Sequence, residues 1–215
     1  MAARTARPPR SGFELVVILA SLGGLPVISA VIAGLPRSFP VPLLVLQHSL
    51  RGGQPDRLAE LLQRRTALPV RAARPGMPAF RPGVTVIPGG STATVGASGR
   101  LCLAKPGGAG GDGLLATAAA SAAARGPVIA VVLTGMLQDG AEGARAVKRH
   151  GGRVLAQDPA TARAPGMPSS AIATGCVDFV LPPDRLSFAL IALVMAPGGA
   201  DLLTVPLPHW AKIGA

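Results

Sequence analysis

The stretch Leu15-Val16-Val17-Ile18-Leu19-Ala20-Ser21-Leu22-Gly23-Gly24-Leu25-Pro26 decides how this chain folds. Its apolar half shows no polar alternation, which marks a strand covered on both faces. Gly23 and Gly24 supply a tight turn, and Pro26 fits the first turn of a helix, where its missing N–H is not needed. The stretch therefore predicts strand, turn and helix, with Ser21 at the carboxyl end of the strand. A hydroxyl held there lies beside the free N–H groups of a helix start. Such groups stabilise the oxyanion formed when a serine attacks a carbonyl. Two better-known patterns are not matched: Leu19 occupies the place of the first glycine in G-x-S-x-G, and G-x-G-x-x-G is not present.

Working outward, the remaining apolar runs repeat the same theme. Val41-Pro42-Leu43-Leu44-Val45-Leu46-Gln47-His48 reads as a second buried strand, ending in two polar residues. A helix is expected over 55–65, with Leu58, Leu61 and Leu62 on one face. The short pieces 70–72, 84–87 and 101–103 read as a small side sheet or hairpin region. A glycine-rich loop (106–113) and an alanine-rich helix (114–125) follow. Pro127-Val128-Ile129-Ala130-Val131-Val132-Leu133 is the clearest buried strand, and a helix after Gly140 runs to His150, where Gly151-Gly152 stops it. Strands at 154–157 and 177–181, a short helix at 167–173 and a buried helix at 186–196 complete the pattern. Alternating strands and helices predict an α/β fold: a doubly wound, mainly parallel sheet with helices on both faces and a small antiparallel hairpin region.

The 215 residues suit one such domain, expected over 13–196 between a basic, disordered tail (1–12) and a Gly- and Pro-bearing tail (197–215). Hydrophobic residues make up 49% and aromatics only 3%, so the core must be built from Val, Leu, Ile and Ala. Cys102 and Cys176 sit inside apolar segments and read as buried free thiols of a reducing cytoplasm, with no disulfide framework. No Cys/His cluster has metal-ligand spacing. The uncharged run 15–35 after a basic start also admits a signal peptide or membrane anchor. The Gly-Gly-Leu-Pro interruption, and equally apolar strands downstream, favour a sheet without stable membrane insertion. The charge of +11 comes largely from scattered Arg. No aromatic residues interleave with those arginines to stack bases, which argues against a nucleic-acid partner and for a solvated basic surface or an acidic protein partner.

Three residue types able to form a catalytic triad arrive at carboxyl ends of predicted strands. His150 follows Lys148 and Arg149 at a helix end, where a cation suits the dipole, and His209 lies in the tail. His48 shares the strand-end layer of Ser21. Asp139 ends the loop after the 127–133 strand, although Asp139-Gly140-Ala141 also reads as a helix cap. In a parallel sheet these ends meet in one crevice. Ser21 would attack, His48 would take and return its proton, and Asp139 would orient the imidazole.

Four segments resemble, in order, the catalytic domain of chemotaxis protein-glutamate methylesterase, the CheB family. Ala20-Ser21-Leu22-Gly23-Gly24 is similar to its A-S-T-G-G turn, and Leu46-Gln47-His48 to its Q-H strand end. Leu133-Thr134-Gly135-Met136-Leu137-Gln138-Asp139-Gly140 resembles its L-T-G-M-G-x-D-G loop. Ala156-Gln157-Asp158-Pro159-Ala160-Thr161 with Gly166-Met167-Pro168 resembles its A-Q-D-x-A-T…G-M-P segment. The resemblance implies that Ser21, His48 and Asp139 are the triad and that Leu22 and Met136 lie beside the oxyanion. It implies hydrolysis of glutamyl methyl esters on a methylated chemoreceptor, and deamidation of receptor glutamines, with no metal or organic cofactor. Leu19, Leu22 and Leu137 replace a glycine, a threonine and a glycine of that pattern. Thr92 stands where a histidine is common after an A-P-G turn, and of an R-P-S-V-D entry only Asp112 matches. About a dozen residues precede the first strand, leaving no room for the family's receiver domain, so control by a separate partner is expected. The competing expectation is a catalytically weak or inactive relative that binds a receptor or regulator.

Overall fold

A computed structural model describes residues 12–48, 55–104, 119, 122–136, 140–196 and 198. Seven strands form one parallel sheet in the order β3-β4-β2-β1-β7-β8-β9. They are β1 (Leu15–Ala20), β2 (Leu43–Gln47), β3 (Val70–Ala72), β4 (Val84–Ile87), β7 (Val128–Val132), β8 (Arg153–Gln157) and β9 (Phe179–Leu181). The strand β5 (Thr92–Val95) pairs antiparallel with β6 (Leu101–Ala104) in a separate hairpin. The helices are α1 (Gly24–Ala33), α2 (Pro55–Gln63), α3 (Ala141–Arg149), α4 (Gly166–Ala173) and α5 (Pro183–Met195).

The unbroken apolar run of β1 is explained by its place at the centre of the sheet. Leu15, Val17 and Leu19 enter one core, with Ala144 and Val147 of α3 and Met167 and Ala171 of α4. Val16, Ile18 and Ala20 enter the other, with Ile28 and Ile32 of α1, Leu62 of α2 and Leu186 and Leu190 of α5. All six residues of β1 are fully buried, so both faces are covered and the sheet is doubly wound.

The chain leaves β1 towards β2 on one side and returns to β7 on the other. The order reverses there, and this is where the carboxyl ends of parallel strands open a crevice. Residues 21, 48 and 134 are the first or second beyond those three central strands.

Several expectations change. Pieces 70–72 and 84–87 are strands of the main sheet, not of a side sheet: β3 pairs with β4 and β4 with β2, all parallel. Thr85 gave the segment an alternating look, yet it is buried at 1% exposure. The hairpin partner of β6 is β5, over Thr92–Val95. Leu61 does not join Leu62 in the core but stays 42% exposed, facing an open groove beside Leu25, Ala30 and Arg65. Cys176 is buried, whereas Cys102 is exposed on the hairpin. The last helix starts at Pro183 and is buried along one stripe only, leaving Phe188 64% exposed. The loop 106–113, and the helix 114–125 apart from helical Ala119, Ala122 and Ala123 and the turn residues Ala124 and Arg125, lie outside the described residues, as do the tails apart from Gly12 and Gly198. No helix among the described residues is long and apolar enough to cross a membrane.

At the sheet edge opposite the crevice, Lys148 of α3 and Asp178, just before β9, form a buried ion pair with side chains 5% and 0% exposed. The other Asp178 oxygen accepts a hydrogen bond from the Val154 amide at 2.8 Å. Removing one partner of such a pair leaves an uncompensated buried charge. Asp178→Ala is therefore expected to lower unfolding stability by about 3–5 kcal/mol. Urea titration reads this directly, and catalytic activity per folded molecule should stay unchanged because the pair lies away from the strand carboxyl ends.

Candidate active site

The Ser21 backbone is fixed from three directions. Its amide donates to the Thr134 carbonyl at 2.9 Å, and its carbonyl accepts from the Gly24 amide at 3.0 Å. The Gln47 Nε2 group approaches the same carbonyl at 3.5 Å. The turn then runs through Gly23, the N-cap of α1, at φ +79°. Only glycine adopts that conformation without strain. The helix therefore starts at Gly24, two residues before Pro26, which still lies in the first turn.

His48 is the first residue beyond β2. Its amide donates to the Ala20 carbonyl at 2.8 Å, continuing the parallel register in which Ala20 faces Gln47. Ser21 and His48 thus leave adjacent strands side by side. Both are half-buried, and neither side chain has a hydrogen-bond partner among the described residues. His48 and Gln47 line a shallow recess with Ile87, Pro88, Gly90 and Ser91. The Gln47 Oε1 atom is buried without a partner among the described residues.

The loop after β7 closes the third side. Thr134 is fully buried, and its hydroxyl donates to the Leu22 carbonyl at 2.9 Å while accepting from the Ala164 amide at 2.9 Å. Its amide donates to Gln157 Oε1 at 3.0 Å, and Gln157 Nε2 donates to the Thr161 carbonyl at 3.1 Å. Gly135 donates to the Ala164 carbonyl and accepts from the Met167 amide, both at 2.8 Å. Two loops and the Ser21 turn are therefore clamped into one unit. Thr134 and Gln157 appear in the sequence only as motif letters, and Ala164 lies in the gap between two of the quoted segments. Nothing local marks the threonine hydroxyl as a tie across 112 residues to Leu22.

Leu22 follows Ser21 and Met136 lies in the loop after β7, the two residues being 44% and 69% exposed. Neither of their backbone N–H groups has a hydrogen-bond partner among the described residues. Backbone donors at strand-end turns are the kind of group an oxyanion needs. Asp139 lies outside the described residues, as does Leu137. The N-cap of α3 falls on Gly140, so the helix starts at Ala141, two residues beyond Asp139. His150 ends the same helix, with its ring nitrogen Nδ1 2.8 Å from the Ala146 carbonyl.

This arrangement has known counterparts. Residues 16–190 match the family model of the CheB methylesterase. The chain belongs to the CheB methylesterase family. It is 42% identical to protein-glutamate methylesterase/protein-glutamine glutaminase 2 of Anaeromyxobacter dehalogenans, over 87% of this chain and 55% of that protein. It is 40% identical to the protein-glutamate methylesterase FrzG of Myxococcus xanthus, over 90% of this chain and 58% of that protein. The chain thus spans little more than half the length of these relatives. The crystal structure of the Thermotoga maritima CheB methylesterase catalytic domain superposes with a TM-score of 0.78 at 35% identity, covering 85% of this chain and 99% of that one. The parallel sheet with its separate hairpin is the fold of that catalytic domain.

Proposed function

We propose that residues 13–196 form a serine esterase that removes methyl groups from glutamyl side chains of chemoreceptor proteins, with Ser21, His48 and Asp139 as the triad. Ser21 Oγ attacks the ester carbonyl carbon as its proton passes to His48. The Leu22 and Met136 N–H groups hold the oxyanion of the tetrahedral intermediate. Collapse expels methanol, which carries away the His48 proton and leaves a glutamyl ester on Ser21. A water deprotonated by His48 then attacks this ester, releasing glutamate and restoring the serine. Asp139 holds the ring in the tautomer that accepts the proton. The same steps on a glutamine release ammonia, which matches the second activity named for the Anaeromyxobacter relative.

The observation that carries this reading is the pairing of half-buried Ser21 and His48 at adjacent strand ends, with the Leu22 and Met136 N–H groups unpartnered among the described residues. The test is methanol release from a methylated receptor cytoplasmic fragment, followed together with covalent labelling by a fluorophosphonate. Release with the label on Ser21 is expected. A chain that is folded by circular dichroism yet releases no methanol and takes no label would overturn the reading.

A further inference from the structure

Arg163 lies in the stretch between Thr161 and Gly166 that the family pattern leaves open. Its neighbour Ala164 is tied by both backbone groups, with the amide on Thr134 Oγ1 at 2.9 Å and the carbonyl on the Gly135 amide at 2.8 Å. The Arg163 stem lies directly on the nucleophile turn. A Cβ on Gly23 would sit 2.8 Å from Arg163 Cβ and 3.0 Å from Arg163 Cδ. Gly23 is two residues from Ser21. The side chain is nevertheless exposed, and it has no hydrogen-bond or ion-pair partner among the described residues. A long cationic side chain laid along the backbone keeps its head in water. Here the stem of that side chain lies on the turn that carries Ser21.

We infer that Arg163 selects the substrate by receiving a carboxylate of the substrate chain next to the esterified glutamyl side chain. This rests on the esterase reading of Ser21. The ester itself is neutral, and the walls offered by Leu22 and Met136 are apolar, so neither discriminates by charge. A guanidinium on a pinned stem does. Its planar fork matches a carboxylate with two parallel hydrogen bonds, and less rotamer freedom is lost on binding because the stem is already placed. Arg74, by contrast, is already engaged with Asp56 at 2.8 Å. The surplus of positive charge, +11 over the chain, draws acidic segments towards the surface, and Arg163 is placed to read one beside the reacting serine.

The experiment uses the full chain and two peptides, each with one glutamyl γ-methyl ester, differing in a neighbouring Glu or Gln. Methanol release should favour the Glu peptide by about three- to tenfold in kcat/KM, carried by KM, with the preference fading in high salt. Arg163→Ala should bring the Glu peptide down to the Gln peptide, and Arg163→Glu should reverse the order. An unchanged preference in Arg163→Ala would overturn the inference. So would an equal loss on both peptides, which would make Arg163 a part of the site's framework. Should neither peptide be hydrolysed, the esterase reading fails separately, and peptide binding by fluorescence anisotropy still decides. A Glu preference in binding that Arg163→Ala removes supports the role of Arg163, and no such preference rejects it.

Discussion

Ser21→Ala is expected to lower methanol release by about a millionfold, the loss typical when the nucleophile of a triad is removed. Stability should stay within about 0.5 kcal/mol of the native chain. The two expectations come from different atoms of one residue. The backbone of Ser21 is held by Thr134, Gly24 and Gln47, and none of those bonds uses the hydroxyl. The Oγ atom has no partner among the described residues, so its loss orphans no buried donor there. Alanine keeps the Cβ that fills the space beside Gly135. Denaturant unfolding and methanol release on the same preparation separate the two effects. Retained turnover would remove Ser21 as nucleophile, and loss of both turnover and fold would assign the hydroxyl a structural role.

The legible parts of this fold are those where one physical cause dominates. β1, β2 and β7 are buried on both faces, and their unbroken aliphatic runs say so without any tertiary knowledge. Gly151, at φ +74°, ends α3 where the sequence places its stop. Ser21 and His48 were readable because a strand end in a parallel sheet fixes which residues meet. Segments whose burial depends on a distant partner were not. Thr85 looks polar in sequence but is covered because β4 lies between β2 and β3. Leu61 looks apolar and interior, yet α1 and α2 leave a groove at that point. Cys102 sits between two leucines, but the hairpin turns alternate residues outward, and 102 is on the outer side. The same limit applies to the site. Its proposed reacting groups follow from local grammar, while the Thr134–Gln157–Ala164 clamp joins segments 23 to 30 residues apart by side-chain hydrogen bonds.

Gly135→Ala tests how tightly that clamp sets Ser21. A Cβ on Gly135 would lie 2.0 Å from Met167 Sδ and 2.9 Å from Ser21 Cβ, both inside any real carbon contact. Met167 is fully buried in α4, and its amide is bonded to the Gly135 carbonyl at 2.8 Å, so its side chain has nowhere to swing. The strain must move the loop, the helix or Ser21. Overpacking of this kind costs about 1–3 kcal/mol of stability. A displacement of the nucleophile by about 1 Å costs on the order of 100-fold in rate. The variant should therefore unfold at lower urea and lose about 100-fold in kcat/KM in its folded fraction. Combining it with Met167→Ala separates the two clashes. In stability the pair should be less harmful than the sum of the single changes, because the cavity left by Met167 accepts the new methyl group. Activity should stay low, because the contact with Ser21 Cβ remains. Recovery of activity in the double variant would mean that the Met167 clash alone displaces the site. Native activity in Gly135→Ala itself would mean that the loop after β7 does not position Ser21 at all.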